Sequence, residues 1–92
     1  MFTVTRISTR QNTSISFWDF TPEQLDKIKS TYDDTGKRVS FTETLSENGL
    51  IQTRLTEWAN LECQQEYNTE FAAFWSERDA YNSSNQIISV RL

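Results

Sequence analysis

The dipeptide Asn48-Gly49, set in the turn Ser46-Glu47-Asn48-Gly49 between two runs of alternating side chains, constrains this chain more than any other feature. Asn-Gly tolerates the backbone angles of a tight hairpin turn and is the strongest short-range signal for one. Before it, Val39, Phe41 and Leu45 frame one face while Ser40, Thr42 and Thr44 take the other; after it, Leu50 to Trp58 returns as the partner strand. Helical signals flank the hairpin. Upstream, Thr21-Pro22-Glu23-Gln24 supplies an N-cap hydroxyl, a proline at the first helical position and a glutamine at N3, the reciprocal capping-box arrangement. Phe20 and Leu25 are placed for a hydrophobic staple around that cap. Leu25, Ile28 and Tyr32 then share one helical face, and the helix stops near Asp33-Asp34-Thr35-Gly36, where glycine can turn left-handed. Downstream, Asn60 can cap a second, longer helix with an apolar face of Cys63, Tyr67, Phe71, Phe74, Trp75 and Tyr81, ended by the polar run Asn82 to Gln86.

Two further segments read as strands. Phe2 to Thr9 is rich in β-branched residues, and Ile87 to Leu92 forms a short apolar tail. Between Thr9 and the first helix, a polar stretch from Arg10 to Ser14 leads into Ile15-Ser16-Phe17-Trp18-Asp19-Phe20, which extends the strand or packs as an aromatic loop; the residues leave both open. The resulting order is β-α-β-β-α-β. The expected fold class is therefore α+β and ferredoxin-like, a four-stranded antiparallel sheet with two helices on one face, with residues 1–92 as one domain.

Composition excludes several functions. Nine Lys and Arg against thirteen Asp and Glu, a net charge of −4, and no basic cluster longer than Lys37-Arg38 argue against nucleic acid, whose binding draws first on many cations gathered on one face. With no histidine, the chain cannot build a Ser-His-Asp or Cys-His nucleophile or a His-based zinc site. There is no CxxC, P-loop or G-x-G-x-x-G, so no metal and no cofactor is expected. Met1 to Arg6 lacks the basic and apolar regions of a signal peptide, and no apolar run approaches membrane-spanning length. With Cys63 as the lone cysteine, a small buried or half-buried helix residue, a cytoplasmic location is expected. Glu62, Glu66 and Glu70 fall on one ridge of the second helix and read as a solvated face.

Helices cover one sheet face, so the composition of the other matters. If Val4, Val39, Phe41, Ile88, Val90 and Leu92 meet the helices, the remaining face carries Thr3, Thr5, Ile7, Ser40, Thr42 and Thr44, joined from the third strand by a set that depends on its register; with Gln52, Arg54, Thr56 and Trp58 there, the face is mixed. Such a mixed face suits a partly wet cavity enclosed by a second subunit, so a homodimer is expected.

The segment Thr53-Arg54-Leu55-Thr56-Glu57-Trp58-Ala59-Asn60-Leu61-Glu62 resembles the strand-to-helix junction of the dimeric α+β barrel superfamily, which includes antibiotic-biosynthesis monooxygenases. The resemblance in spacing covers about a third of the chain, and in element order all of it. It implies a ferredoxin-like protomer whose sheet packs against that of a partner. Many members carry a histidine early in the second helix, where this chain has Tyr67, which sets histidine-dependent activity aside.

Trp58, Tyr67, Phe71 and Trp75 are candidates to line an aromatic pocket, with Arg54 or Asn60 orienting a polar substrate group, although an aromatic stripe at helical spacing is also what a plain core looks like. Two functions follow. One is a cofactor-independent monooxygenase-like enzyme or small-molecule binder taking an aromatic ligand. The other is a non-catalytic dimerisation or interaction module, motivated by the lack of any titratable group placed for catalysis.

Overall fold

The computed structural model describes all 92 residues. The elements are β1 (Phe2–Thr9), α1 (Pro22–Ile28), β2 (Arg38–Leu45), β3 (Ile51–Trp58), α2 (Leu61–Glu70), α3 (Ala72–Ser84) and β4 (Ile88–Arg91). The strands form one antiparallel sheet in the order β2-β3-β1-β4, the ferredoxin-like topology. No helix is long and apolar enough to cross a membrane.

Local chemistry accounts for most boundaries. The capping box forms: the Gln24 amide donates to Thr21 Oγ1 at 3.3 Å, and the Thr21 amide donates to Gln24 Oε1 at 2.9 Å. From Ile28 the backbone widens into a π-helical turn over Lys29–Asp33, closed by the Asp34 amide donating to the Lys29 carbonyl at 2.8 Å. Ile28 and Tyr32 are fully buried, whereas Leu25 stands 48 % exposed, so the expected helical face reaches the core only through its last two members. At the hairpin, Gly49 takes a φ of +74°, and Arg10 reaches across to donate from Nε to its carbonyl at 2.8 Å. Residues 10–20 pack as a loop, which settles the alternative left open above.

Three expectations are corrected. First, the sheet is open and does not close into a barrel. The resemblance to the dimeric α+β barrel superfamily is not upheld, and the monooxygenase-like reading that rested on it goes with it. Second, the helices number three. The long second helix breaks at Phe71, whose φ of −102° and ψ of 18° leave the helical region while its ring is sealed in the core at 1 % exposure. Burial of that ring overrides a stretch with no glycine or proline to announce a break.

Third, β3 and β4 turn inward the faces expected outside, while Val4 and Phe41 face the helices as expected. Trp58 and Gln52 are buried beneath the helices, so Arg54 and Thr56, which alternate with them, point the same way. Cross-strand partners share a face, which places Val4, Arg6 and Ser8 of β1, Phe41 of β2 and Ser89 and Arg91 of β4 on this inner side. Val39, Ile88, Val90 and Leu92, expected inside, are 50, 68, 49 and 72 % exposed. The argument for a homodimer thereby loses its ground, because the third-strand set Gln52, Arg54, Thr56 and Trp58 that made the outer face mixed lies on the face the helices cover.

The apolar core gathers at one end of the inner face. Ile28, Tyr32, Trp58, Tyr67 and Phe71 form it, with Phe2, Val4, Phe20, Cys63, Phe74 and Trp75 packed around. The other end of the same face is polar: Ser8 and Ser89 share a hydrogen bond at 3.0 Å, and buried Gln52 lies on the strand beside Ser8.

Candidate functional site

The site lies where the apolar and polar halves of the inner face meet. Trp58 ends β3 with its ring 4.7 Å from that of Tyr67 on α2 and 5.9 Å from that of Tyr32. Tyr67 in turn lies 5.4 Å from Trp75 on α3. The loop before α1 closes the group, with Trp18 and Phe20 edge-on to Trp75 at 6.2 and 5.8 Å. Tilted and edge-to-face pairs of this kind add roughly 0.5–1.5 kcal/mol each beyond the area they bury. The Trp75 indole N–H is buried without a partner, a cost that the aromatic packing must offset.

Beside this wall is a cavity of about 310 Å³, at the lower end of the range of small-molecule sites. Six aromatic residues reach it: Trp18, Phe20, Phe41, Trp58, Tyr67 and Trp75. Its polar lining consists of Arg6, Arg54, Arg78, Arg91, Thr56, Gln64 and Asn68, and no Asp or Glu contributes. Arg54 Nε donates to Glu43 at 2.9 Å, and its Nη2 reaches the Trp18 carbonyl and Asp19 Oδ1, both at 3.3 Å, tying the aromatic loop to the sheet. Arg78 packs its guanidinium over the Trp75 ring at 5.0 Å and pairs with Asp79 at 3.2 Å.

Burial pushes the Tyr67 hydroxyl well above the ordinary phenol range, against the pull of Arg38, Arg54 and Arg78. The ionisable side chains that line the cavity are thus four arginines and one tyrosine, all hydrogen-bond donors. They donate hydrogen bonds and place positive charge; none is a base. No group of three or more Cys, Asp or Glu is gathered to hold a metal ion.

Of the residues singled out in the sequence, Arg54, Trp58, Tyr67 and Trp75 lie together on the cavity. Asn60 and Phe71 do not. Asn60 is occupied as the N-cap of α2, its Oδ1 accepting from the Cys63 amide at 2.9 Å, and Phe71 is core. Sequence reasoning missed Arg6, Arg78 and Arg91 and the loop aromatics Trp18 and Phe20. The alternation of Phe2, Val4 and Arg6 along β1 carried the signal for Arg6, since a face starting with two apolar residues is the one that meets the helices. The Glu62, Glu66 and Glu70 ridge is exposed, as expected of a solvated face, with Glu66 paired to Lys37 at 3.0 Å and Glu70 to Lys27 at 2.9 Å. No family model matches the chain, and no curated protein matches it.

Proposed function

We propose that this protein is a small-molecule-binding domain that takes a flat aromatic ligand into the cavity between the inner sheet face, α2, α3 and the loop before α1. One observation carries the reading: six aromatic side chains from two strands, two helices and one loop converge on a single cavity of about 310 Å³ that also has fixed polar donors. Sites for small ligands have this make-up, an apolar and aromatic lining with a few convergent polar groups that set orientation. A lining without a base at neutral pH supports binding rather than proton-transfer chemistry.

The three tryptophans provide the assay, since Trp18, Trp58 and Trp75 all line the cavity. Titration with one- and two-ring aromatic compounds, charged and neutral, is expected to change their fluorescence saturably. Trp18→Ala, a loop substitution outside the core cluster, should weaken the best ligand about tenfold, the scale of one lost aromatic contact. A linear, unsaturable response to every compound refutes the reading.

A further inference from the structure

Three arginines stand in a row across the sheet. Arg6 on β1 is the direct cross-strand partner of Arg54 on β3 and of Arg91 on β4, so three guanidinium groups leave one face of three adjacent strands. A fourth, Arg78 of α3, lines the same cavity from above. Like charges placed directly opposite each other destabilise a sheet, and of the three only Arg54 ties other elements together, through Glu43, Asp19 and the Trp18 carbonyl. The carboxylates at hand serve Arg54 and Arg78: Glu43 and Asp19 pair with the first, and Asp79 with the second. Arg6 has only the Ser89 hydroxyl, 3.1 Å from Nη1, and Arg91 makes no side-chain ion pair or hydrogen bond. A chain of net charge −4 thus spends four of its nine basic residues on one cavity that no acid lines. Burial, followed by the nearby Arg78, lowers the pKa of Arg6 against the opposing pull of Asp79.

We propose that the cavity recognises an oxyanion carried on an aromatic body, with Arg6, Arg54 and Arg91 holding the anionic head and Trp58, Tyr67 and Trp75 taking the ring. This rests on the small-molecule reading above and supplies its ligand class. Guanidinium groups present planar forks that match carboxylate or phosphate oxygens two at a time, and a cluster of them gains most where water is partly excluded. Buried Gln64 and Tyr67 make no side-chain hydrogen bond within the protein and can add donors beside the head.

The test is calorimetric titration of the full chain with three compounds that share a naphthalene body: 2-naphthoate, 2-naphthyl phosphate and the neutral 2-naphthamide. At least one anion is expected to bind about tenfold or more tightly than the amide, with affinity that falls as salt is raised. The tighter of the two anions identifies the head group as carboxylate or phosphate. Arg6→Gln and Arg91→Gln should each weaken the anion several-fold more than the amide, while the variants melt no lower than the unaltered protein. Equal affinity for anion and amide, or anion binding indifferent to both substitutions, overturns the oxyanion assignment and leaves the small-molecule reading standing. If none of the three binds, both fall.

Discussion

Arg6 and Arg91 face each other across β1 and β4 on the covered side of the sheet, and neither has a carboxylate partner. Two positive charges at direct cross-strand spacing repel, and the fold tolerates them through the packing around Trp58 and Tyr67. Such an arrangement costs stability that the proposed oxyanion ligand, by supplying counter-charge, would offset.

Removing one of the pair should therefore stabilise the protein. Arg91→Gln is expected to add up to about 1 kcal/mol at low ionic strength, a rise of roughly 4–8 °C in Tm at the upper limit for a domain of this size. Screening should shrink the gain as salt is added. Thermal denaturation at two salt concentrations checks this, and a drop in Tm for the variant would show that the arginine stem packs more usefully than its charge repels.

Asn60 separates a structural role from a ligand role. Its side chain caps α2 by accepting from the Cys63 amide, and it does not reach the cavity. Asn60→Ala should cost about 1 kcal/mol in urea denaturation and leave the affinity for an aromatic ligand unchanged. A weakened ligand with unaltered stability would return Asn60 to the site.

The two glycines should differ under the same substitution. Both have positive φ, +77° at Gly36 and +74° at Gly49, so alanine at either place pays about 1–2 kcal/mol for the left-handed backbone. At Gly36 the added methyl meets nothing within 4 Å, whereas at Gly49 it comes to 3.2 Å from Thr13 Cγ2. Gly49→Ala should accordingly lose more stability than Gly36→Ala, and Thr13→Ser, which removes that methyl, should recover the difference in chemical denaturation of the double variant.

How much could be read in advance follows from where each signal resides. Caps and turns are local chemistry, and the Thr21 box, the Asn60 cap and the Asn48-Gly49 turn are all found where their residues stand. The strand order follows from the alternation of elements. Face assignment was not local. In β3 one face reads Gln52, Arg54, Thr56, Trp58 and the other Ile51, Thr53, Leu55, Glu57, and the second is the more apolar. Yet the first is inside, because Trp58 anchors to Tyr32 and Tyr67 and the polar remainder lines a cavity instead of a packed core. Half the site was hidden with it: Arg6 and Arg91 become neighbours only once β1 and β4 are paired, and Trp18 joins Trp75 from a loop with no periodicity. The break at Phe71 is likewise a tertiary event.

Two buried tyrosines and one carboxylate set the pH range of stability. Tyr32 donates its hydroxyl proton to Glu70 Oε2 in a hydrogen bond, and Lys27 binds the other carboxylate oxygen at 2.9 Å. The Tyr32 hydrogen bond, followed by Lys27, holds the Glu70 carboxyl below its usual range. Its contribution is therefore present above the ordinary value of 4.5 and is lost as pH falls through the lower folded value. For the phenols the sign reverses. Burial, reinforced at Tyr32 by Glu70, raises both Tyr32 and Tyr67 above their ordinary value of 10.0. Stability from keeping them neutral is complete below that value and declines as pH rises beyond it, by up to about 1.4 kcal/mol per pH unit for each group. Urea denaturation across pH should show a plateau with a falling limb on either side. Tyr67→Phe should flatten only the alkaline limb, whereas Tyr32→Phe should flatten both, since it removes a buried phenol and the donor to Glu70 together. An acid limb unchanged in Tyr32→Phe would mean that Lys27 alone holds the Glu70 carboxylate.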